Sequence, residues 1–257
     1  MTSEDSTITA LVTGASAGLG AEFARQLAAG GCNLVLVARD QSRLQATAAE
    51  LEQRYGITAE VLPADLTDDG GVAAVVGRLT AAERPVGVLV NNAGTGLLHN
   101  FEKNDIPEEK QHLKLHVETA LELTHAALQG MLERGSGRII NVASVAAFVP
   151  RGTYSAAKAW LLSFSRWANL AYGPRGVKVT AVCPGFTHTE FHDRMGMDKS
   201  VAPAWTWLTA ERVVREALAH NVRGKAVSIP SKRYKAVAIA ARLLPDRLLT
   251  GPARRAK

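Results

Sequence analysis

Short apolar segments alternate with amphipathic segments along the chain. Seven runs rich in Val, Ile and Leu have the length of buried strands: 8–12, 33–38, 58–62, 86–90, 138–142, 177–183 and 226–229. Segments with helical spacing lie between them: 20–29, 42–55, 71–82, 108–133, 153–172 and 210–220. Such alternation calls for a parallel sheet covered by helices on both faces. The pattern predicts a doubly wound α/β fold with about seven parallel strands.

Length and composition are typical of one globular domain. The 257 residues are 47% hydrophobic and 21% charged, without repeats or low-complexity tracts. No apolar run approaches the roughly 20 residues that span a bilayer, and the N-terminus lacks the blocks of a secretory signal. Cys32 and Cys183 lie in or beside apolar runs without metal-ligand spacing. We expect residues 1–257 to form one cytoplasmic domain with two buried thiols.

The net charge of +6 is concentrated at the C-terminal end. Residues 223–257 hold ten Lys or Arg and one acidic residue, whereas residues 1–222 carry a small net negative charge. The body of the chain lacks the basic stripe and interleaved aromatic side chains that are typical of nucleic-acid binding. We therefore expect no nucleic-acid partner.

The C-terminal segment 231–257 has the pattern of a basic amphipathic helix, which Pro245 should break or kink. Four apolar residues follow helical spacing: Val237, Ala241, Leu244 and Leu248. Two interpretations remain. The segment docks on an acidic surface, such as a membrane, an acyl carrier protein or an anionic thioester, or its apolar stripe closes the core or an oligomer interface.

A glycine-rich sequence, TGASAGLG, follows the first predicted strand and opens a helix. Backbone N–H groups and the helix dipole can face a phosphate at such a position, and the alternative is that the glycines only form a tight strand-to-helix turn. The residues expected to line a dinucleotide there are Gly14, Ser16, Gly18, Leu19 and Gly20.

The second predicted strand ends in Ala38-Arg39, without the acidic residue that would bind a ribose 2′-hydroxyl. A guanidinium suits a 2′-phosphate, so Arg39 predicts NADP(H) in preference to NAD(H). The alternative is that Arg39 is only a solvated charge.

Polar and small residues follow the next strands and are expected at the same edge of the sheet. After the third strand, Asp65 and Leu66 either contact adenine or begin a turn. The candidates after the fourth and sixth strands are Asn92, Ala93, Gly94, Pro184, Gly185, Thr187 and Thr189. They let a flat ligand approach the backbone and orient its carboxamide, or they are polar turns.

A tyrosine and a lysine stand four residues apart at the start of a predicted helix, in Tyr154-Ser155-Ala156-Ala157-Lys158. This spacing holds phenol and ammonium on one helix face. Lys158 together with an oxidised nicotinamide would lower the pKa of Tyr154 toward the working range of a general acid/base. Ser144 ends the fifth strand, where its hydroxyl could polarise a carbonyl or cap a turn.

Taken together, TGASAGLG, NNAG, Ser144, YSAAK and CPGFTHT resemble the classical short-chain dehydrogenase/reductase family over residues 8 to 230. The resemblance implies a Rossmann fold, Tyr154 as acid/base, Lys158 as pKa modulator and ribose ligand, and Ser144 as carbonyl binder. It implies interconversion of a carbonyl and a secondary alcohol by a homodimer or homotetramer. Residues 190–210 would be a substrate lid, and their aromatic and Met side chains favour an apolar substrate such as a 3-oxoacyl, steroid or polyketide carbonyl.

Two departures from the family pattern concern the same region. Ser144 and Tyr154 are only ten positions apart, so the loop between them is shortened. His116 stands where the family usually has an Asn that completes a water relay behind the lysine. A neutral imidazole can both donate and accept a hydrogen bond, so His116 either substitutes for that Asn or has no catalytic role.

Two other classes of function are weighed against the enzyme. His pairs at helical spacing, His112 with His116 and His188 with His192, lack a third ligand, and no metal site is expected. A cofactor-binding sensor or scaffold would keep the fold and the glycines but should have a damaged YxxxK motif. The motif is intact in this sequence, which favours an enzyme.

Overall fold

A parallel seven-stranded sheet forms the centre of this computed structural model, which describes residues 7–97, 99–191, 203–245 and 249. The described strands in chain order are β1 Thr9–Thr13, β2 Asn33–Ala38, β3 Ala59–Pro63, β4 Val86–Asn91, β5 Gly137–Val142, β6 Val177–Val182, β7 Thr187–His188, β8 Leu208–Thr209 and β9 Val227–Ser228. The large sheet has the order β3-β2-β1-β4-β5-β6-β9, and every pair in it is parallel. The predicted doubly wound α/β fold is confirmed.

Helices cover both faces of the sheet. The described helices are α1 Gly18–Ala29, α2 Gln41–Tyr55, α3 Asp69–Thr80, α4 Ile106–Leu113, α5 Thr119–Glu133, α6 Gly152–Tyr172, α7 Ala210–Val222 and α8 Lys232–Leu243. The segment 108–133, predicted as one regular helix, contains a π-helical turn, Lys114–Glu118, between α4 and α5. Such a turn occurs inside an otherwise continuous helix, so the helical segment was predicted but the turn was not.

The apolar core consists of two layers, one on each face of the sheet. Helices α1, α2 and α7 pack on one face through residues such as Phe23, Leu44 and Val213. Helices α3, α5 and α6 cover the other face, where Leu123 and Met131 are completely buried. Because both faces are covered, the central strands are apolar almost throughout, which made them visible in the sequence.

The strand order reverses between β1 and β4, because β2 and β3 lie on one side of β1 and the later strands on the other. In open α/β sheets, ligands bind outside the carboxyl ends of the strands at such a switch point. The glycine-rich loop follows β1 and the NNAG sequence follows β4. The topology therefore brings these two segments to one crevice.

Helix α8 lies in the predicted basic C-terminal segment, but among the described residues of the predicted apolar stripe only Ala241 is buried. Val237 is 54% exposed, and the side of α8 that faces the domain consists of Tyr234, Ala238 and Ala241. Two of these inner residues are alanines, whose small side chains contribute little to an apolar pattern, so the inner side was not predicted. The helix ends before Pro245, as expected, and Leu248 lies outside the described residues.

Among the described helices, none combines the length and the apolar character needed to cross a bilayer. Cys32 and Cys183 are both buried and unbridged, as predicted.

Candidate active site

The glycine-rich loop turns sharply from β1 into α1. Gly14 has a φ of +66°, and a Cβ on Gly20 would lie 2.0 Å from the carbonyl oxygen of Gly14. No side chain larger than hydrogen fits at Gly20, so the helix can start directly against the loop. The N-cap residue, Ala17, provides no side-chain cap. Helix N–H groups without such a cap suit a phosphate.

Thr13 and Asn92 fasten this loop to the end of β4. The amide Nδ2 of Asn92 donates to the carbonyl oxygen of Thr13 at 2.9 Å. The Thr13 hydroxyl accepts hydrogen bonds from the backbone N–H groups of Asn92 and Ala93, both at 2.9 Å. The Asn92 side chain therefore fixes the shape of the phosphate loop. Thr13 is not among the residues predicted from the sequence, although its position at a strand end before the glycines was a signal.

Arg39 and Asp65 lie side by side at the ends of β2 and β3. Their closest side-chain atoms are 3.9 Å apart, and the Arg39 side chain is 75% exposed. The Asp65 carboxylate accepts hydrogen bonds from the backbone N–H and the hydroxyl of Thr67. Asp65 therefore begins a turn, which was one of the two roles predicted for it. Burial raises the pKa of Asp65, but these hydrogen bonds and Arg39 outweigh it and leave the pKa lowered. A guanidinium is thus held open to solvent where the 2′-phosphate was expected.

Ser144, Tyr154 and Lys158 come together at the carboxyl end of β5. The Ser144 hydroxyl accepts a hydrogen bond from the backbone N–H of Ala146 at 3.1 Å and lies near enough to the phenol of Tyr154 to influence its pKa. Lys158 Nζ donates to the carbonyl oxygen of Val142 at 2.7 Å and lies 5.7 Å from the centroid of the Tyr154 ring. The three proposed catalytic side chains therefore form one cluster, and the shortened loop has not displaced Ser144 from Tyr154.

The pKa of Tyr154 moves in the direction opposite to the expectation. Burial raises it to about 12, and the nearby Ser144 hydroxyl only partly offsets this effect. Burial also lowers the pKa of Lys158 to about 7, so the amine is only partly protonated at neutral pH. The sequence showed that a cation stands near the phenol but did not show that both groups are desolvated.

Two buried histidines on successive turns face Tyr154. The rings of His112 and His116 have centroids 4.4 Å apart, and each centroid lies about 6 Å from that of Tyr154. His116 belongs to the π-helical turn, and its Nε2 lies 2.7 Å from the carbonyl oxygen of Thr95. Burial and then Lys158 lower the pKa values of both imidazoles, well below the usual value for His116. Both rings are therefore neutral at pH 7.

A cavity of about 10 Å³ lies behind Lys158, which is room for about one water molecule. Asn91 and His116 line it together with Lys158. The Oδ1 atom of Asn91 and the Nδ1 atom of His116 are buried and make no hydrogen bond with protein atoms. A neutral His116 that donates from Nε2 to Thr95 presents an acceptor at Nδ1. The cavity thus offers a donor and two acceptors to one water molecule.

The segment after β6 closes the far side of the crevice. The carbonyl oxygen of Pro184 accepts a hydrogen bond from the N–H of Val145 at 2.9 Å. The Thr187 hydroxyl donates to the carbonyl oxygen of Gly185 at 3.0 Å. A Cβ on Gly18 would lie 3.2 Å from Cβ of Thr189. The segment therefore approaches the glycine-rich loop from the opposite side.

The remaining predicted residues lie in the segments that follow β1, β3 and β4. Leu19 packs against the core, and the carbonyl oxygen of Leu66 accepts a hydrogen bond from the Thr119 hydroxyl at 2.9 Å. Gly94 lies so close to His116 that a Cβ would stand 2.6 Å from its ring. Ser16 is half-buried in the glycine-rich loop.

Within the described ranges, no cluster of three or more His, Cys, Asp or Glu side chains could hold a metal ion. The predicted lid, 190–210, falls partly outside them, since only 190–191 and 203–210 are described. His192, Met195 and Met197 lie in the remainder.

Fold and site together define a Rossmann-type, dinucleotide-binding oxidoreductase framework. A family model described as short chain dehydrogenase matches residues 8–200, which is most of the chain. The chain belongs to the short-chain dehydrogenase/reductase family.

Three similar proteins illustrate this membership. A very-long-chain 3-oxoacyl-CoA reductase of Laccaria bicolor is 40% identical over 163 residues, which are 61% of this chain and 48% of that protein. A ketoacyl reductase of Nostoc sp. is 33% identical over 227 residues, covering 86% and 77%. The structure of a short-chain dehydrogenase from Sphingobium yanoikuyae in complex with NADPH has a TM-score of 0.84, at 36% identity, covering 91% and 93%. The match spans about half the length of the first relative.

Proposed function

We propose that the protein is an NADP(H)-dependent reductase that interconverts a carbonyl and a secondary alcohol. The observation that carries this proposal is the cluster of Ser144, Tyr154 and Lys158 beside the glycine-rich loop. Its hydroxyl, phenol and ammonium lie where the switch point of the sheet creates a binding crevice.

The crevice fits a nicotinamide dinucleotide. The close approach of Gly20 to Gly14 and the uncapped start of α1 suit a pyrophosphate. The exposed guanidinium of Arg39 suits a 2′-phosphate, and the NADPH complex of the Sphingobium relative supports the same choice. NAD(H) lacks that phosphate and is the less favoured cofactor.

Each catalytic side chain has a distinct role in the proposed reduction. When bound, the dinucleotide supplies the hydride. Ser144 holds the carbonyl oxygen through its hydroxyl, and Tyr154 donates the proton to that oxygen. A phenol with a pKa of about 12 keeps its proton at neutral pH, which suits a general acid. In the reverse direction Tyr154 accepts the proton, which requires a bound cationic group to lower its pKa.

Lys158 returns to Tyr154 the proton that the phenol gives away, and His116 positions a water molecule behind the lysine. One water molecule in the cavity behind Lys158 accepts a hydrogen bond from Nζ and donates one to His116 Nδ1 and one to Asn91 Oδ1. This arrangement satisfies both unpaired acceptors and links the lysine to the π-helical turn. His116 therefore fills the position of the family's Asn, as a positioning residue.

The proposed substrate is apolar, and a 3-oxoacyl thioester is the first choice. The ring of Phe191, at the start of the predicted lid, has its centroid 6.4 Å from that of Tyr154. The two relatives named as 3-oxoacyl-CoA and ketoacyl reductases support this substrate class. Steroid and polyketide carbonyls are the alternatives.

The proposed organisation is one cytoplasmic domain over residues 1–257 that forms a homodimer or homotetramer. Its substrate lid comprises 190–210 and its basic extension 231–257. Exposed apolar side chains on α5 and α6 support self-association: Leu121, Trp167 and Leu170. The ten Lys and Arg of residues 223–257 support contact of the extension with an acidic surface.

Consumption of NADPH with a panel of carbonyls tests the proposal. The panel contains 3-oxoacyl thioesters of increasing chain length, a steroid ketone and a short polar ketone. We expect oxidation of NADPH with the corresponding alcohol as product and rates that rise with the apolar length of the substrate. No turnover across the panel despite NADPH binding would favour the sensor or scaffold instead.

A further inference from the structure

Helix α8 has apolar side chains on two opposite sides. Its inner side, Tyr234, Ala238 and Ala241, packs on the domain. At 100° per residue, a second stripe points away from the domain, and all of its members are exposed: Ala236, Ile239, Ala240 and Leu243. We name these four residues the outer face of α8. Ile239 is 59% and Leu243 79% exposed, which is unusual for two such side chains on one helix stripe.

Cations flank the outer face. Lys232 and Lys235 are exposed near the start of α8. Arg233 is also exposed, and its guanidinium donates to the carbonyl oxygen of Trp205 at 2.8 Å and lies over that indole ring, which is 63% exposed. The sequence after the helix, 246–257, adds four basic residues and one Asp. An apolar stripe with Lys, Arg and Trp at its margins is typical of helices in the bilayer interface.

We propose that the outer face of α8 docks on the surface of an anionic lipid bilayer. The apolar stripe enters the boundary between headgroups and acyl chains, while Lys232 and Lys235 contact lipid phosphates. A protein partner or a second copy would need a shaped counterpart, whereas a bilayer needs only the stripe and the flanking charge. The contact is peripheral, with α8 lying along the membrane plane.

The inner side of α8 contacts segments that border the active site. The Tyr234 hydroxyl accepts from the N–H of Phe186 at 3.1 Å and donates to the carbonyl oxygen of Thr206 at 2.9 Å. A Cβ on Gly185 would stand 2.0 Å from the Tyr234 ring. Helix α8 also packs against the turn Val145–Phe148 that follows Ser144. Docking therefore brings the crevice close to the bilayer, where apolar carbonyls dissolve. This last step rests on the proposed function, but the docking does not.

Vesicle co-sedimentation of the full chain tests the docking without any substrate. One set of vesicles contains phosphatidylcholine alone, and the other also contains phosphatidylglycerol. We expect binding to the anionic vesicles that weakens as salt shortens the Debye length below about 10 Å. Replacing Ile239 and Leu243 together by Ser should weaken this binding about tenfold or more. Lys232→Glu with Lys235→Glu should abolish the preference for anionic vesicles.

Val222→Ser is the matched control, because Val222 is 50% exposed at the end of α7, outside the outer face of α8, and should not affect binding. Absence of wild-type binding to anionic vesicles overturns the proposal, as does unchanged binding of the double Ser variant. If the wild type does not bind vesicles and the double Ser variant has a lower oligomeric mass than the wild type in sedimentation, the outer face is an interface with a second copy of the chain. If the double Ser variant has a lower thermal midpoint than the wild type, the binding of the Lys232→Glu, Lys235→Glu variant to the two kinds of vesicle tests the docking instead. Turnover of a short ketone is measured in parallel, so a failure of the proposed catalytic activity is distinguished from a failure of membrane docking.

Discussion

The imidazole of His116 stands edge-on to the phenol of Tyr154, with ring centroids 5.7 Å apart and planes at 87°. When Nε2 donates to the carbonyl oxygen of Thr95, Nδ1 is an acceptor without a partner among protein atoms, so the ring can hold a water molecule in a fixed place. We expect His116→Leu to lower kcat on the order of tenfold or more, with little change in the Kd of NADPH.

His116→Asn should restore most of this loss, because an amide also presents an acceptor to the cavity. The solvent isotope effect on kcat should grow in the Leu variant and return in the Asn variant. A Leu variant with normal kcat and isotope effect would assign His116 a packing role only.

Tyr154→Phe tests the proton donor. The substitution removes one hydroxyl from a cluster that also contains Ser144, so kcat should fall roughly 10²–10⁴-fold. The Kd of NADPH, measured by fluorescence titration, should stay within a small factor, because the glycine-rich loop and Arg39 are untouched. Tyr172→Phe, at the other end of α6, is the matched control and should leave both quantities unchanged. Turnover near the wild-type rate in Tyr154→Phe would refute the mechanism.

The elements of the fold were readable from the sequence, because strands covered on both faces are apolar throughout and the helices between them are amphipathic. The same logic placed Tyr154 and Lys158 on one helix face and the glycines after β1. Burial could not be read in this way. It depends on α4 and the π-helical turn packing His112 and His116 against Tyr154, and it reverses the expected shift of the Tyr154 pKa. The contact of Tyr234 with Gly185 likewise joins residues 49 positions apart, beyond any local pattern.

Arg39→Ala tests the choice of cofactor. A guanidinium bound to a 2′-phosphate contributes about 1.5–3 kcal/mol, so the variant should bind NADPH roughly 10-fold to 100-fold more weakly. The affinity for NADH should hardly change, since NADH has no 2′-phosphate. Arg54→Ala, at the distant end of α2, serves as the charge-matched control. Equal losses for both dinucleotides would assign Arg39 to the solvated surface.

Gly20→Ala tests the close packing of the phosphate loop. The new Cβ would lie 2.0 Å from the carbonyl oxygen of Gly14, which is backbone and cannot rotate away. We expect loss of measurable NADPH binding and a lower thermal midpoint. Gly77→Ala in α3 is the control, because a Cβ there meets no atom within 4 Å and should stabilise the helix by about 0.5–1 kcal/mol. Normal NADPH affinity in Gly20→Ala would show that the loop can open without cost.

Lys158 should make the stability of the cofactor-free protein depend on pH. Its pKa is about 7 in the folded protein, because burial opposes the charged form, against 10.5 in an exposed chain. Between these values the unfolded chain binds more protons than the folded protein, so the free energy of unfolding should rise with pH. Below pH 7 the folded protein carries the full cost of a buried ammonium, and that cost disappears as the pH approaches 10.

Lys158→Met removes this titration but leaves the other ionisable groups. We therefore expect the stability of the wild type relative to the variant to increase from pH 7 to pH 10, by an amount on the order of a few kcal/mol. Urea unfolding of both proteins at a series of pH values measures this difference directly. The raised pKa of Tyr154 acts in the opposite direction only above its ordinary value of 10, outside the chosen range. A difference that stays constant across the range would mean that Lys158 keeps its ordinary pKa when buried against Val142, and its part in the proton path would then have to be that of a permanent cation.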